Sequence, residues 1–259
     1  MEADRRLKAF KELLDIMDKL RVSCPWDMKQ TNETLRKLTI EETYELADAI
    51  LDNDYKAICG ELGDLMLHIV FYARIASEKD MFDISNVLEG INKKLIYRHP
   101  HVFGDTEAHS ASEVEENWEK LKQNESDKYK PVLSGVPDSL PALVKANRVQ
   151  EKVRGVGFDW EDRSQVWDKV SEEIKELKKE IEEGTEKEIE SEFGDVFFSL
   201  INAARLYGVD PESALERTNK KFIARFNYLE DKSIRQGKSL HDLSLEEMDK
   251  IWQEAKDLE

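Results

Sequence analysis

Eight carboxylates in this 259-residue chain fall into two sets that share one spacing. Glu42 and Glu45 are followed by Glu61 and Asp64; Glu173 and Glu176 are followed by Glu192 and Asp195. In each set fifteen residues separate the second member from the third. On a helix, residues three apart share a face, with Cβ atoms about 5–6 Å apart. The fifteen-residue interval lets the first helix finish, turn and return antiparallel. Asn53 with Asp54, and Gly184 with Thr185, are suitable turn residues. The spacing therefore predicts four acidic groups converging between two helices in each set. Gathering anions costs about 1–4 kcal/mol per close pair, depending on the local dielectric, and a divalent cation removes that penalty. Carboxylate oxygens are hard ligands that suit Mg²⁺ or Mn²⁺, and Mg²⁺ commonly keeps open positions for substrate phosphates. The chemistry predicted is metal-assisted work on phosphates.

A plainer reading competes with this one. Glutamate favours helices, and EEIKELKKEIEEGTEKEIESE by itself is an ordinary solvated face. Two features favour a metal site. Asp64 sits within GELGDLMLHIVFYA and Asp195 within FGDVFFSLI, where a carboxylate among apolar neighbours is costly unless paired or metal-bound. The same positions also recur in a duplicate of the segment. A di-iron bundle would need Glu three residues before a histidine, and none of the five histidines has it. His68 is read as a packed or surface histidine. Phosphates also need positive partners. Lys94 with Arg98, and Lys221 with Arg225, are spaced i,i+4 and so form candidate clamps. Trp118 and Trp252 either stack on a base or close the core.

The elements that position these groups are helices. Leu7, Phe10, Leu13, Leu14, Met17 and Leu20 form an apolar stripe, and similar stripes run through 40–52, 58–77, 84–97, 164–182, 189–206 and 212–229. Pro131, Pro137 and Pro141 crowd a stretch that cannot be helix interior. Shifted by 131 positions, residues 41–74 align with 172–205 without a gap, and twelve of the 34 positions are identical. Those identities include Glu42, Glu45, Glu61 and Asp64, so the match falls on the chemistry. Further along, NKKLIYR (92–98) meets NKKFIAR (219–225), and Glu113 and Trp118 match Glu247 and Trp252. The fold expected is all-α: two tandem duplicated helical modules, each an antiparallel bundle. They occupy 1–124 and 145–259, with a proline-containing connection at 125–144.

A net charge of −17 argues against a protein that tracks nucleic-acid phosphates. Cys24 and Cys59 build neither a C-x-x-C pair nor a disulfide framework, which suits a reducing compartment. The start, MEADRRLKAF, lacks the apolar core of a signal peptide, and the longest apolar stretch is too short to span a bilayer. A cytoplasmic, membrane-free protein is expected.

At these residues the chain resembles the MazG family of tandem-domain all-α nucleoside triphosphate pyrophosphohydrolases, over nearly its full length. CPWDMKQT, LTIEETYELADAI, GELGDLMLHIVFYA, RHPHVFGD, VRGVGFDW, EFGDVFFSLINAAR and NKKFIARF carry the resemblance. It implies Mg²⁺-dependent hydrolysis of NTPs and dNTPs, with low base selectivity, to monophosphate and pyrophosphate. It also implies a homodimer, and a C-terminal half that is the main catalyst. Carried over by motif, the implied metal ligands are Glu173, Glu176, Glu192 and Asp195, and the implied nucleotide contacts are Lys169, Lys221, Arg225 and Trp252. Glu172 or Glu173 would take the proton of the attacking water. The N-terminal half keeps Glu42, Glu45, Glu61, Asp64, Lys94, Arg98 and Trp118, but Leu38 stands where Lys169 is matched. That half is expected to bind metal and to hydrolyse weakly, although its intact carboxylates leave activity in both halves open. Two rivals remain at this level: an acidic helical adaptor without turnover, and a narrow-specificity dNTP pyrophosphatase. The physiological substrate and any regulatory protein partner are not named by the sequence.

Overall fold

The computed structural model describes every residue except 1, 105, 109, 111–112, 115–116, 119–120, 122–130, 161, 236 and 259. Among the described residues the regular structure is helical, with no strand. The chain divides into two compact units, Met1–Asn124 and Glu125–Glu259.

In the first unit α1 (Glu2–Ser23) leads through a 3-10 turn to α2 (Asn32–Leu51), α3 (Tyr55–Ser77), α4 (Ile84–Arg98) and the short α5 (Pro100–Phe103). The stripe of α1 supplies Met17, with Phe10, Leu13 and Leu14 around it, to a core completed by Leu35, Val70, Phe71 and Ile75. Leu7, from the same stripe, is left exposed. α2 starts at Asn32, well before the stripe at 40–52, because Thr31 and Thr34 cap each other across its first turn. Such a box satisfies amides that apolar spacing does not register. Only three residues join α2 to α3. Asn53 takes the left-handed backbone the turn needs (φ 55°), and the Asp54 side chain accepts from the amides of Lys56 and Ala57 at 2.9 and 3.0 Å. Arg21 ties the end of α1 to the end of α3 through both Glu78 oxygens, at 2.8 and 3.0 Å.

In the second unit Pro141 immediately precedes α6 (Ala142–Arg154), where a ring without an N–H costs the helix nothing. α7 (Val166–Glu183) and α8 (Glu186–Leu206) form the hairpin matching α2 and α3, followed by α9 (Pro211–Arg235) and α10 (Leu245–Asp257). Here the turn uses glycine. A Cβ on Gly184 would lie 2.7 Å from the carbonyl oxygen of Glu180, so the close approach excludes other residues. Glu188 then accepts from the Thr185 amide at 2.8 Å to start α8. Val166, Val170 and Ala203 close one end of the hairpin. Leu229, Leu243 and Ile251 join α9 to α10, with Trp252 packed beside them.

Candidate metal and nucleotide site

α7 presents Glu173 and Glu176 one turn apart, and α8 returns Glu192 against them. One carboxylate oxygen from each of the three lies within 4.8 Å of the other two. The first unit repeats the arrangement with Glu42 and Glu45 from α2 and Glu61 from α3. Both short interhelical turns therefore set a register in which acidic faces oppose. Glu173 is buried, Glu192 half-buried and Glu176 exposed.

The electrostatics match the crowding. Burial, then the charges of Glu176, Asp195 and Glu173, hold the Glu192 carboxyl above its ordinary value. Glu42 is raised by burial and then by Asp64, Glu45 and Glu61. Glu192 Oε2 is buried without a hydrogen-bond partner among the described residues. Three hard oxygen donors, one of them orphaned and all repelling, fit a divalent cation.

Asp64 and Asp195 depart from the sequence expectation. Both are exposed and stand outside the trios, although their charges reach Glu42 and Glu192. The apolar neighbours expected to bury them are themselves exposed within each unit: Leu62, Met66 and Ile69 on α3, and Phe193, Phe197 and Phe198 on α8. The structure thus groups three carboxylates per unit, with the fourth at the margin. His68, by contrast, is buried.

The matched cations also diverge. Lys169 Nζ lies 2.7 Å from Glu173 and 3.0 Å from Glu172, and the Glu173 contact is the largest cause raising the lysine's pKa. Glu172 itself is exposed and lies outside the trio. Leu38, in the matching position, packs against the core of the first unit. Arg225 stands over the ring of Trp252, 5.8 Å from its centroid, and Phe222 packs on that indole at 5.0 Å. Lys221 is exposed on the same helix. Arg225, Trp252 and Phe222 thus pack together on α9 and α10. Lys94 is exposed but Arg98 is buried, so the N-terminal pair does not present two outward cations as the i,i+4 spacing implied. Trp118 sits 6.2 Å from the His99 ring.

Comparison with known proteins resolves the family. The MazG nucleotide pyrophosphohydrolase domain matches this chain twice, at residues 30–103 and 163–229. The chain belongs to the MazG family. Each MazG match contains one whole acidic trio; the second also spans Lys169, Lys221 and Arg225, and neither reaches Trp118 or Trp252. The nucleoside triphosphate pyrophosphohydrolase/pyrophosphatase MazG of Thermotoga maritima is 44% identical over 250 residues, 95% of both chains. The nucleoside triphosphate pyrophosphohydrolase of Escherichia coli K12 is 41% identical over 251 residues, 94% of this chain and 95% of its own. Bacillus subtilis YabN is 46% identical over 238 residues, which span 91% of this chain but 49% of YabN.

One group escaped the sequence reading. Arg205 holds Asp159 through two bonds of 3.0 and 2.5 Å and braces Asn202 as well. Its signal was the match of Arg74 with Arg205 at the end of the aligned block. In the first unit Arg74 pairs instead with Asp18, at 2.7 Å.

Proposed function

We propose that this MazG-family chain hydrolyses nucleoside triphosphates, both NTP and dNTP over a broad base range, to nucleoside monophosphate and pyrophosphate. The observation that carries the reading is the trio of Glu173, Glu176 and Glu192, in which a buried Glu192 oxygen has no hydrogen-bond partner among the described residues. Glu173, Glu176 and Glu192 would hold Mg²⁺, with Asp195 at the margin as a fourth donor; Mn²⁺ is the expected substitute. Bound there, the ion would offset triphosphate charge and make a water more acidic.

The remaining tasks belong to the chain's own side chains. Water attacks the α-phosphorus, and the bond from that phosphorus to the bridging oxygen breaks to release pyrophosphate. A carboxylate oxygen of Glu173, or of Glu172 one residue earlier, accepts the water's proton. Lys169 pairs with both acids, while Lys221 and Arg225 bind phosphate oxygens. Trp252 offers the base a ring face, a contact that discriminates poorly among bases because every base has one. Glu42, Glu45, Glu61 and Asp64 would hold metal in the first unit, with weaker turnover because Leu38 supplies no cation.

We further propose a homodimer, on the strength of the large apolar side chains left exposed on α8 and α9, among them Phe197, Phe198, Phe222 and Ile223. Among the described residues no helix is long and apolar enough to cross a membrane. A cytoplasmic role in clearing non-standard or excess nucleotides is consistent with broad selectivity. The test is pyrophosphate release from a panel of NTPs and dNTPs with and without Mg²⁺. Turnover across the panel only with metal supports the reading. Turnover of a single dNTP replaces it with the narrow enzyme, and none at all leaves the adaptor.

A further inference from the structure

At the far end of the α7–α8 hairpin the charge reverses. A cavity of about 560 Å³ opens there among Arg154, Asp159, Trp160, Asp162, Arg163 and Arg205. Arg205 lies thirteen residues beyond Glu192, roughly 20 Å along the helix at 1.5 Å per residue. The cavity is thus distinct from the acidic trio, and its volume falls in the range of small-ligand sites, about 300–1,000 Å³.

The acidic residues at this cavity are committed internally. Asp159 takes both Arg205 bonds and also accepts from the Trp160 amide at 3.0 Å. Burial alone would raise its carboxyl, but those bonds and the nearby Arg154 bring it below the ordinary value. Asp162 accepts from the Ser164 amide at 2.8 Å. Among the described residues, two guanidiniums keep donors to spare. Arg154 reaches Asp159 only at 3.7 Å. Arg163 lies against the face of Tyr207, 5.0 Å from the ring centroid, and Tyr207 is held by the Trp167 indole N–H at 3.0 Å. A guanidinium carries five N–H donors, and a ring-face contact leaves its in-plane edge open to an oxyanion. Trp160 is 41% exposed and lines the same cavity, where its indole offers a surface for a planar base.

We infer that this cavity is a second, metal-independent binding site for phosphorylated nucleotides, with Arg154 and Arg163 on the phosphate and Trp160 against the base. It stands whether or not the acidic trio performs the hydrolysis proposed above. The phosphoryl group could equally arrive as free pyrophosphate, so the test separates the two. Isothermal titration of the full chain in EDTA, with AMP and with pyrophosphate, is compared across variants. The inference expects AMP to bind wild type and to lose at least tenfold in affinity in Arg154→Gln/Arg163→Gln. Trp160→Leu should weaken AMP severalfold and leave pyrophosphate within twofold. Undiminished AMP binding in the double arginine variant overturns the site, as does the absence of AMP binding to wild type. Trp160→Leu without effect on AMP overturns the nucleotide assignment in favour of pyrophosphate. If the double variant loses its helical circular dichroism, Arg163→Gln alone, which removes only a ring-face cation, decides the same question.

Discussion

Lys169 and Leu38 occupy the same place in the duplicated hairpin and do opposite things. Lys169 bridges Glu173 and Glu172 at 2.7 and 3.0 Å, whereas Leu38 packs against the core built on Met17 and Phe71. One unit therefore carries a cation inside its acidic face, and the other has given that position to packing. Replacing Lys169 with Met should lower turnover roughly ten- to hundredfold, because a charge-assisted contact is worth about 1.5–3 kcal/mol. It should barely move the melting temperature, since a partly exposed pair contributes about 0–1 kcal/mol. Leu38→Lys should do the reverse and cost about 1.5–3 kcal/mol of stability as an apolar contact is lost. Steady-state kinetics beside thermal melts check both; unchanged kinetics in Lys169→Met would remove it from the site.

The acidic trios yield a signature in stability as well as rate. Glu192 titrates above its ordinary value in the folded state. Stability tied to its proton is therefore present at low pH and lost as pH rises through the folded value, which leaves a penalty at neutrality. Glu192→Gln with Asp195→Asn should melt higher than wild type in EDTA at pH 7.5, and added Mg²⁺ should raise the melting temperature of wild type but not of this variant. Pyrophosphate release should fall by at least a hundredfold. Glu61→Gln with Asp64→Asn should retain most of the rate. If the second variant is the inactive one, the assignment of the two units reverses.

The helices and their duplication were legible because apolar spacing and repeated acidic positions are local facts. The short turns could also be read, since Asn53, Asp54, Gly184 and Thr185 are residue types with a conformational reason to be there. The exposure of Asp64 and Asp195 was not legible. An apolar stripe says that a face wants covering, not whether its own unit covers it, and Phe197 on α8 stays in solvent within its unit. The Arg205–Asp159 pair was hidden for another reason. It joins residues 46 apart, and the duplicate offers no guide because Arg74 has chosen Asp18 and Glu78.

That Arg205–Asp159 pair should carry the loop before α7. The Arg205 side chain is only 8% exposed and that of Asp159 19%, so removing one charge strands the other away from solvent. Asp159→Asn should cost about 2 kcal/mol, near the cost of leaving a buried polar group unsatisfied. Chemical denaturation checks it: a lower midpoint at unchanged slope fits local loss of the pair, and no shift would mean the guanidinium is solvated in practice.

The cap of α10 predicts an acid-sensitive element. Glu247 accepts from the Ser244 amide at 2.9 Å and from Lys238 Nζ at 3.1 Å, and the first of these leads the causes holding its carboxyl at about 2, against an ordinary 4.5. A depressed folded value means that the ionised form is favoured by folding. The stabilisation it lends is therefore complete above pH 4.5 and is lost as the pH falls toward 2. Ile251 and Trp252 follow on the same helix and pack with Leu229 and Leu243, so loosening the cap loosens the α9–α10 core and the ring that Arg225 overlies. Glu247→Gln should melt below wild type at pH 7, and that gap should close between pH 4.5 and 2. A gap that stays constant across this range would show that the carboxylate's charge is irrelevant to the cap and that only the shape of the side chain matters.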